Sequence, residues 1–230
     1  LKVFGQSAPT IEDVHFYDNE TDLCGGAVSI EQQSFKDQSV IFKNCIFENN
    51  RCPGTGSAID VLSGSAARIE NCLFVENIAN YGMERIANEF GLTYHPEHGS
   101  GALTVFPGSS AIVKNSTFTK NWNAIDDHGT GSQYEHCILW KNSLTDGTRP
   151  GQPYEFDVAN ASGVKNCFIH GVINDLRSSI DQTKNHFDPP DPEFTEFFTP
   201  TSIFYRGKNL GYRPTRNAEK AEGPVTLHGS

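Results

Sequence analysis

The chain has 230 residues and a formal net charge of -10, with a sequence pI near 5.2, which argues against a basic face for nucleic acid. Hydrophobic residues make up 37%, with one Met against 21 Gly and 12 Pro, a mixture that suits short strands and turns better than a helical bundle. No apolar run approaches the roughly 20 residues of a bilayer-spanning helix.

From the start of the chain, one pattern recurs. Leu1 to Phe16 reads LKVFGQSAPTIEDVHF, Ile59 to Phe74 reads IDVLSGSAARIENCLF, and Leu103 to Phe118 reads LTVFPGSSAIVKNSTF. These segments align without a gap, and Val28 to Phe47 is a further copy with extra residues in its turn. Strand alternation sends Ile59 and Val61 to one face and Asp60 to the other. Val28, Ile30, Leu103, Val105 and Ile125 extend that inward column. Phe16, Phe47, Phe74, Phe118, Leu139 and Ile169 form a second. A single repeat cannot bury its own apolar face, so the pattern predicts stacked rungs: an all-β, right-handed parallel β-helix, or solenoid. Each Phe is followed three positions later by Asn (Asn19, Asn50, Asn77, Asn121), and Leu139 by Asn142, which predicts a ladder of side-chain amides along the turns.

Rungs are expected over 1–174, interrupted by a long loop at 78–99, with an irregular capping segment over 175–230. Cys45, Cys72, Cys137 and Cys167 share one repeat position, held by Val14 and Ser116 elsewhere, and read as a column of small buried residues. Cys24 and Cys52 lie in successive turns, where a disulfide across adjacent rungs is an open alternative. In the long loop, MERIANEF has the pattern of a short helix, and the HPEH run places His95 and His98 beside a carboxylate. Insertions of this kind project from one face of a solenoid, so Tyr81, Tyr94, His95 and His98 are candidate binding residues, with loop surface as the plainer reading.

The outward positions after the Asn turn are Ser29, Asp60, Thr104 and Asp126. Asp126, Asp127 and His128 are adjacent, and paired carboxylates suit acid–base work or a calcium ion. They are the candidate catalytic residues, with Asp60, Arg68 and Thr104 as binding residues. Arg68, Lys114 and Lys120 would supply positive charge to a uronic-acid substrate, as a lyase requires. The alternative is that the carboxylates are the ordinary solvated face of a strand. No cofactor is expected on the first reading and calcium on the second.

The pairings FYDN with GGAV, FENN with GSAI, FVEN with SGAL, and the lone FTKN, over roughly residues 1–142, carry a family likeness. They resemble the repeats of chlamydial polymorphic outer-membrane proteins and related bacterial β-helix proteins. Downstream, HCILWKN (His136 to Asn142), NCFIHG (Asn166 to Gly171), DPEF (Asp191 to Phe194) and GYRP (Gly211 to Pro214) are similar to the closing region of the secreted choice-of-anchor Q group. The DDH triplet resembles the paired Asp of polygalacturonase-like enzymes, whose other motifs are not evident. These resemblances imply a secreted or cell-surface protein.

Phe187, Phe194, Phe197, Phe198, Phe204 and Tyr205 are placed to cover the open end of the core, or to pack back along its side. Leu1 falls in mid-rung, so upstream rungs or another domain are expected, with assembly through the open end as a further option. The expected function is a secreted or surface module for glycan binding, adhesion or surface structure. The alternative is a polysaccharide lyase or glycoside hydrolase acting on an acidic polysaccharide.

Overall fold

The computed structural model describes residues 1–32, 38–81, 85, 88–89, 91, 101–142, 155–171, 180–206, 208 and 210–214. Three sheets, every strand pair parallel, run the length of a three-sided solenoid. Sheet A stacks Lys2–Phe4, Val28–Glu31, Ile59–Val61, Leu103–Val105, Ile125–Asp127 and Phe156–Val158 in that order. Sheet B stacks Thr10–Glu12, Val40–Lys43, Ala66–Glu70, Ser110–Lys114, Gln133–Glu135 and Val164–Lys165. Sheet C begins at His15–Tyr17 and runs through Ile46–Glu48, Leu73–Val75, Thr117–Thr119, Ile138–Trp140 and Phe168–His170 to His186–Phe187. The parallel pairing thus passes the expected boundary at residue 174: Ile169 faces Phe187 across the last pair.

Both inward columns form as the alternation requires. Val28, Ile59, Leu103, Ile125 and Phe156 are in register and fully buried. Phe16, Phe47, Phe74 and Phe118 stack face to face, with centroids 4.7, 4.7 and 4.3 Å apart. Near-parallel stacking at this spacing follows from the inter-strand repeat of about 4.8 Å. Cys45, Cys72, Cys137 and Cys167 are buried and unpaired, as expected of a column of small side chains.

The corners between sheets B and C are made by single residues in the left-handed region. Asp13, Asn44, Asn71, Asn115, His136 and Asn166 have φ between 49° and 57°. Asn and Asp tolerate that conformation better than other residues with a Cβ, so a sharp bend costs one residue per rung.

The Asn ladder runs one way. Asn50 donates from its backbone N–H and from Nδ2 to Oδ1 of Asn77, at 3.0 and 2.9 Å. Asn77 does the same to Asn121, and Asn121 to Asn142. Each Nδ2 also donates to the carbonyl of the Phe in the rung before, such as Asn121 to Phe74 at 2.9 Å. The ladder ends on a residue outside the repeat: Glu155, fully buried, accepts from Asn142 N at 2.7 Å and from its Nδ2 at 2.5 Å. A carboxylate is well placed to terminate a column of donors, since charge-assisted bonds are stronger than neutral ones.

Among the described residues of the C-terminal segment, Ile180 joins the core and Phe187 packs against it. The segment returns as a strap across the outer face of sheet C. That face is apolar in the middle rungs, where Ile138, Trp140 and Phe168 meet Tyr205, Leu210, Phe194 and Phe204. Further along, Leu73 and Val75 meet Tyr212 and Phe198. Backbone bonds fix the path: Gly211 N donates to His136 O at 2.8 Å, Tyr212 N to Thr117 Oγ1 at 2.8 Å, and Arg213 N to Asn71 Oδ1 at 2.7 Å. Of the two expectations for these aromatics, the strap along the side holds for most and the cap only for Phe187.

Candidate functional site

The outward face of sheet A carries one continuous polar row. Strand register sets Ser29 beside Asp60, Asp60 beside Thr104, Thr104 beside Asp126, and Asp126 beside Asp157. Two residues beyond Asp126 on the same face, His128 brings Nε2 to 3.0 Å from Asp126 Oδ1. Backbone pairing continues this far, with His128 N donating to Val105 O at 2.8 Å.

The row is not a solvated strand face. Asp60, Thr104, Asp126 and Asp157 are buried, while Ser29 and the His128 side chain, 29% exposed, reach the surface. Over Asp60 and Thr104 the cover is the turn from the same rung. Thr55 Oγ1 donates to Asp60 Oδ2 at 2.8 Å, and Gly56 N donates to Thr104 Oγ1 at 3.1 Å. Gly56 has a φ of 64°, and a Cβ there would sit 2.7 Å from Asp60 Oδ1, so conformation and space both demand glycine. The small-residue step before each sheet A strand thus lets backbone close on the polar row.

Burial sets the charge. It pushes the Asp60 carboxyl up to about 7, against the pull of the Thr55 hydroxyl, with Asp126 adding repulsion. An acid with a folded pKa above its unfolded value binds more protons when folded, so its contribution to stability falls as pH rises from about 4 to 7. Asp60→Asn keeps an acceptor for Thr55 and removes the titration. Relative to the parent, this variant is expected to gain stability across that window, by up to about 4 kcal/mol at pH 8. Urea unfolding at pH 4.5 and 8 reads it: an equal difference at both pH values would refute the assignment.

Asp127 does not belong to this row. It takes the inward position shared by Val105 and Val158, and accepts hydrogen bonds from Tyr134 Oη at 2.6 Å and Gly129 N at 2.6 Å. Burial raises its pKa, and Tyr134 is driven well above its usual range by burial and by Asp127. The adjacent carboxylates of the DDH run therefore face opposite sides of the sheet and cannot form an acid–base pair. Residues 126 and 157 are the neighbouring carboxylates on the outward face. Asp157 was missed because its rung follows residues 143–154, whose sequence does not repeat the pattern, although FDV repeats the IDV pattern of residues 59–61.

Arg68, Lys114 and Lys120 are not brought to the row. Arg68 and Lys114 lie on sheet B, and Lys120 follows a strand of sheet C. Their partners are Glu70 at 3.6 Å, Glu135 at 2.9 Å and Glu76 at 3.3 Å, respectively. Tyr81 is half-exposed and donates to Glu20 Oε1 at 2.9 Å, apart from the row. Tyr94, His95 and His98 lie outside the described residues, as does most of MERIANEF. Within that run, Arg85 and Glu89 form an ion pair at 3.6 Å with helical spacing.

Cys24 and Cys52 are both free thiols. Cys52 Sγ points to Thr55 O at 3.2 Å, and burial raises both thiol pKa values, with Asp60 contributing. Among the described residues, no group of three His, Cys, Asp or Glu is arranged to hold a metal ion.

Residues 1–92 match the family model described as a right-handed beta helix region. The chain is a right-handed parallel β-helix. The matched part covers the first three rungs of this β-helix, and the same three sheets continue in unbroken register through the later ones. No curated protein and no solved structure matches the chain. Among the described residues no helix is long and apolar enough to cross a membrane.

Proposed function

We propose that this β-helix is a secreted or cell-surface module that binds a glycan where the polar row of sheet A reaches the surface. The observation that carries the reading is the in-register row Asp60, Thr104, Asp126 and Asp157, ending at His128. Buried carboxylates cost stability unless well compensated, so three on one face support a working role over a purely structural one. The row meets solvent at Ser29 and beside Asp126 at His128, and these are the points a ligand reaches. Similarity of the FxxN and small-residue repeats to polymorphic outer-membrane and choice-of-anchor Q proteins supports the location.

A second reading rests on a separate observation. Asp60 and Asp126 lie on one face, two strands apart across Thr104, and a pair of carboxyls on one face is the equipment of a glycoside hydrolase. Asp60, holding its proton near neutral pH, would be the acid and Asp126 the base.

Pectin, alginate, chondroitin sulfate, xylan and a β-glucan, tested as immobilised polymers and as substrates, separate these outcomes. Reducing ends report hydrolysis, and absorbance at about 235 nm reports lyase products. At least one polymer is expected to be retained, about tenfold more weakly by Asp126→Asn. Retention without turnover fits the module, whereas turnover abolished by Asp60→Asn fits the hydrolase. No retention of any polymer, or equal retention by Asp126→Asn, would overturn the assignment of the row.

A further inference from the structure

Far from sheet A, a cleft of about 280 Å³ opens where the strap leaves the last rungs, lined by His136, Asn166, Phe168, His186, Lys208 and Leu210. From these residues we infer a binding site for a single carboxylate-bearing sugar ring, such as a uronate. This assignment does not rest on the sheet A row.

The lining combines positive charge with an apolar floor, and among the described residues it contains no carboxylate. Phe168 and Leu210 are buried and form the floor. The Lys208 ammonium sits 3.9 Å from the Phe204 centroid and 4.9 Å from that of Phe168. Among the described residues no carboxylate pairs with it, so aromatic faces hold a cation whose charge is still available to an anion. His186 packs on Phe168 with centroids 4.3 Å apart, and its pKa is lowered by burial and then by Lys208, as expected beside an uncompensated cation. Glu135, whose charge is felt by His136, is engaged by Lys114 at 2.9 Å.

The fold makes this site. His136 and Asn166 occupy successive left-handed corners between sheets B and C, at φ 57° and 54°, so their side chains follow one another along one edge. The strap closes the other side and is anchored there by the bond from Gly211 N to His136 O. In a protein of net charge -10, this is a local cationic spot. The volume is below the roughly 300 Å³ at which drug-sized pockets begin, which suits one ring. A uronate offers a carboxylate for Lys208 and the imidazoles, hydroxyls for Asn166, and a C–H face for Leu210 and Phe168.

The test uses the full chain and D-glucuronate, titrated by chemical-shift perturbation, with D-glucose and acetate as separate probes. Saturable binding of glucuronate is expected. It should weaken by about tenfold or more in Lys208→Gln, with unchanged melting because Lys208 is exposed, and in His136→Asn, which keeps a residue suited to the left-handed corner. Glucose and acetate should bind at least about tenfold more weakly. The perturbed resonances should be those of the cleft, His136, Asn166 and His186, and not those of sheet A, which separates this site from the row. The inference is overturned if glucuronate does not saturate, if glucose or acetate binds as tightly, or if Lys208→Gln binds like the parent.

Discussion

Ending the chain after Asp188 is expected to lower the melting midpoint by about 10 °C or more and to increase hydrophobic-dye binding or aggregation. The cause is the outer face of sheet C. Leu73, Val75, Ile138, Trp140 and Phe168 are each at most 7% exposed with the strap in place, and all lose cover without it. A five-residue apolar patch on a parallel sheet is the kind of surface that natural proteins conceal. A one-carbon version of the experiment is available at Gly211. Its φ is 67°, and a Cβ would lie 2.6 Å from Thr117 Oγ1 and 2.7 Å from Ile138 Cδ1. Gly211→Ala is therefore expected to cost about 2–3 kcal/mol, through strain and through lifting the strap from Thr117 and Ile138. If truncation left melting and dye binding unchanged, the strap would contribute nothing to the fold.

The second large effect belongs to the amide ladder. Asn121→Ala removes four hydrogen bonds: two that Asn77 donates to Oδ1, and two that Nδ2 donates to Phe74 O and Asn142 Oδ1. At about 1 kcal/mol each, and with buried partners left unsatisfied, the loss is expected to be about 4–5 kcal/mol. For a chain of this size that is a fall of about 10 °C or more in the melting midpoint. Asn19→Ala is the matched control, since Asn19 is exposed at the ladder's start, and about 1 kcal/mol or less is expected there. Equal losses in the two variants, read by urea unfolding, would show that the ladder's burial does not matter.

What the sequence made legible was what repeats. Alternation along IDV and LTV placed the inward columns, and the FxxN spacing placed the ladder, because each rung imposes the same constraint on the next. The site was only half legible for the same reason. Asp60, Thr104 and Asp126 read as outward, but alternation does not say what lies over a face. The cover depends on how the Thr55–Gly56 backbone folds onto it. Asp127 misled because it fills a position that is Val in neighbouring rungs, where its charge is sustained by Tyr134 from another sheet. Glu155 was invisible, since it does an Asn's work from the far side of an insertion. The aromatic content of the C-terminal segment was plain, but its destination depended on an apolar outer face of sheet C that no repeat announces.

The strap also changes how the molecule comes apart. A solenoid joined only by nearest-neighbour contacts unravels rung by rung from its ends, each rung leaving at its own small cost. Here Arg213 is bonded to Asn71 across 142 residues of sequence, and the chain between passes along three further rungs. The final rungs cannot fray until that tie is released, and releasing it uncovers Leu73 and Val75 beneath Tyr212 in the third rung. Loss of structure at one end is thereby coupled to the middle. A fold whose architecture favours gradual peeling is given the concerted, all-or-none unfolding of a globular domain.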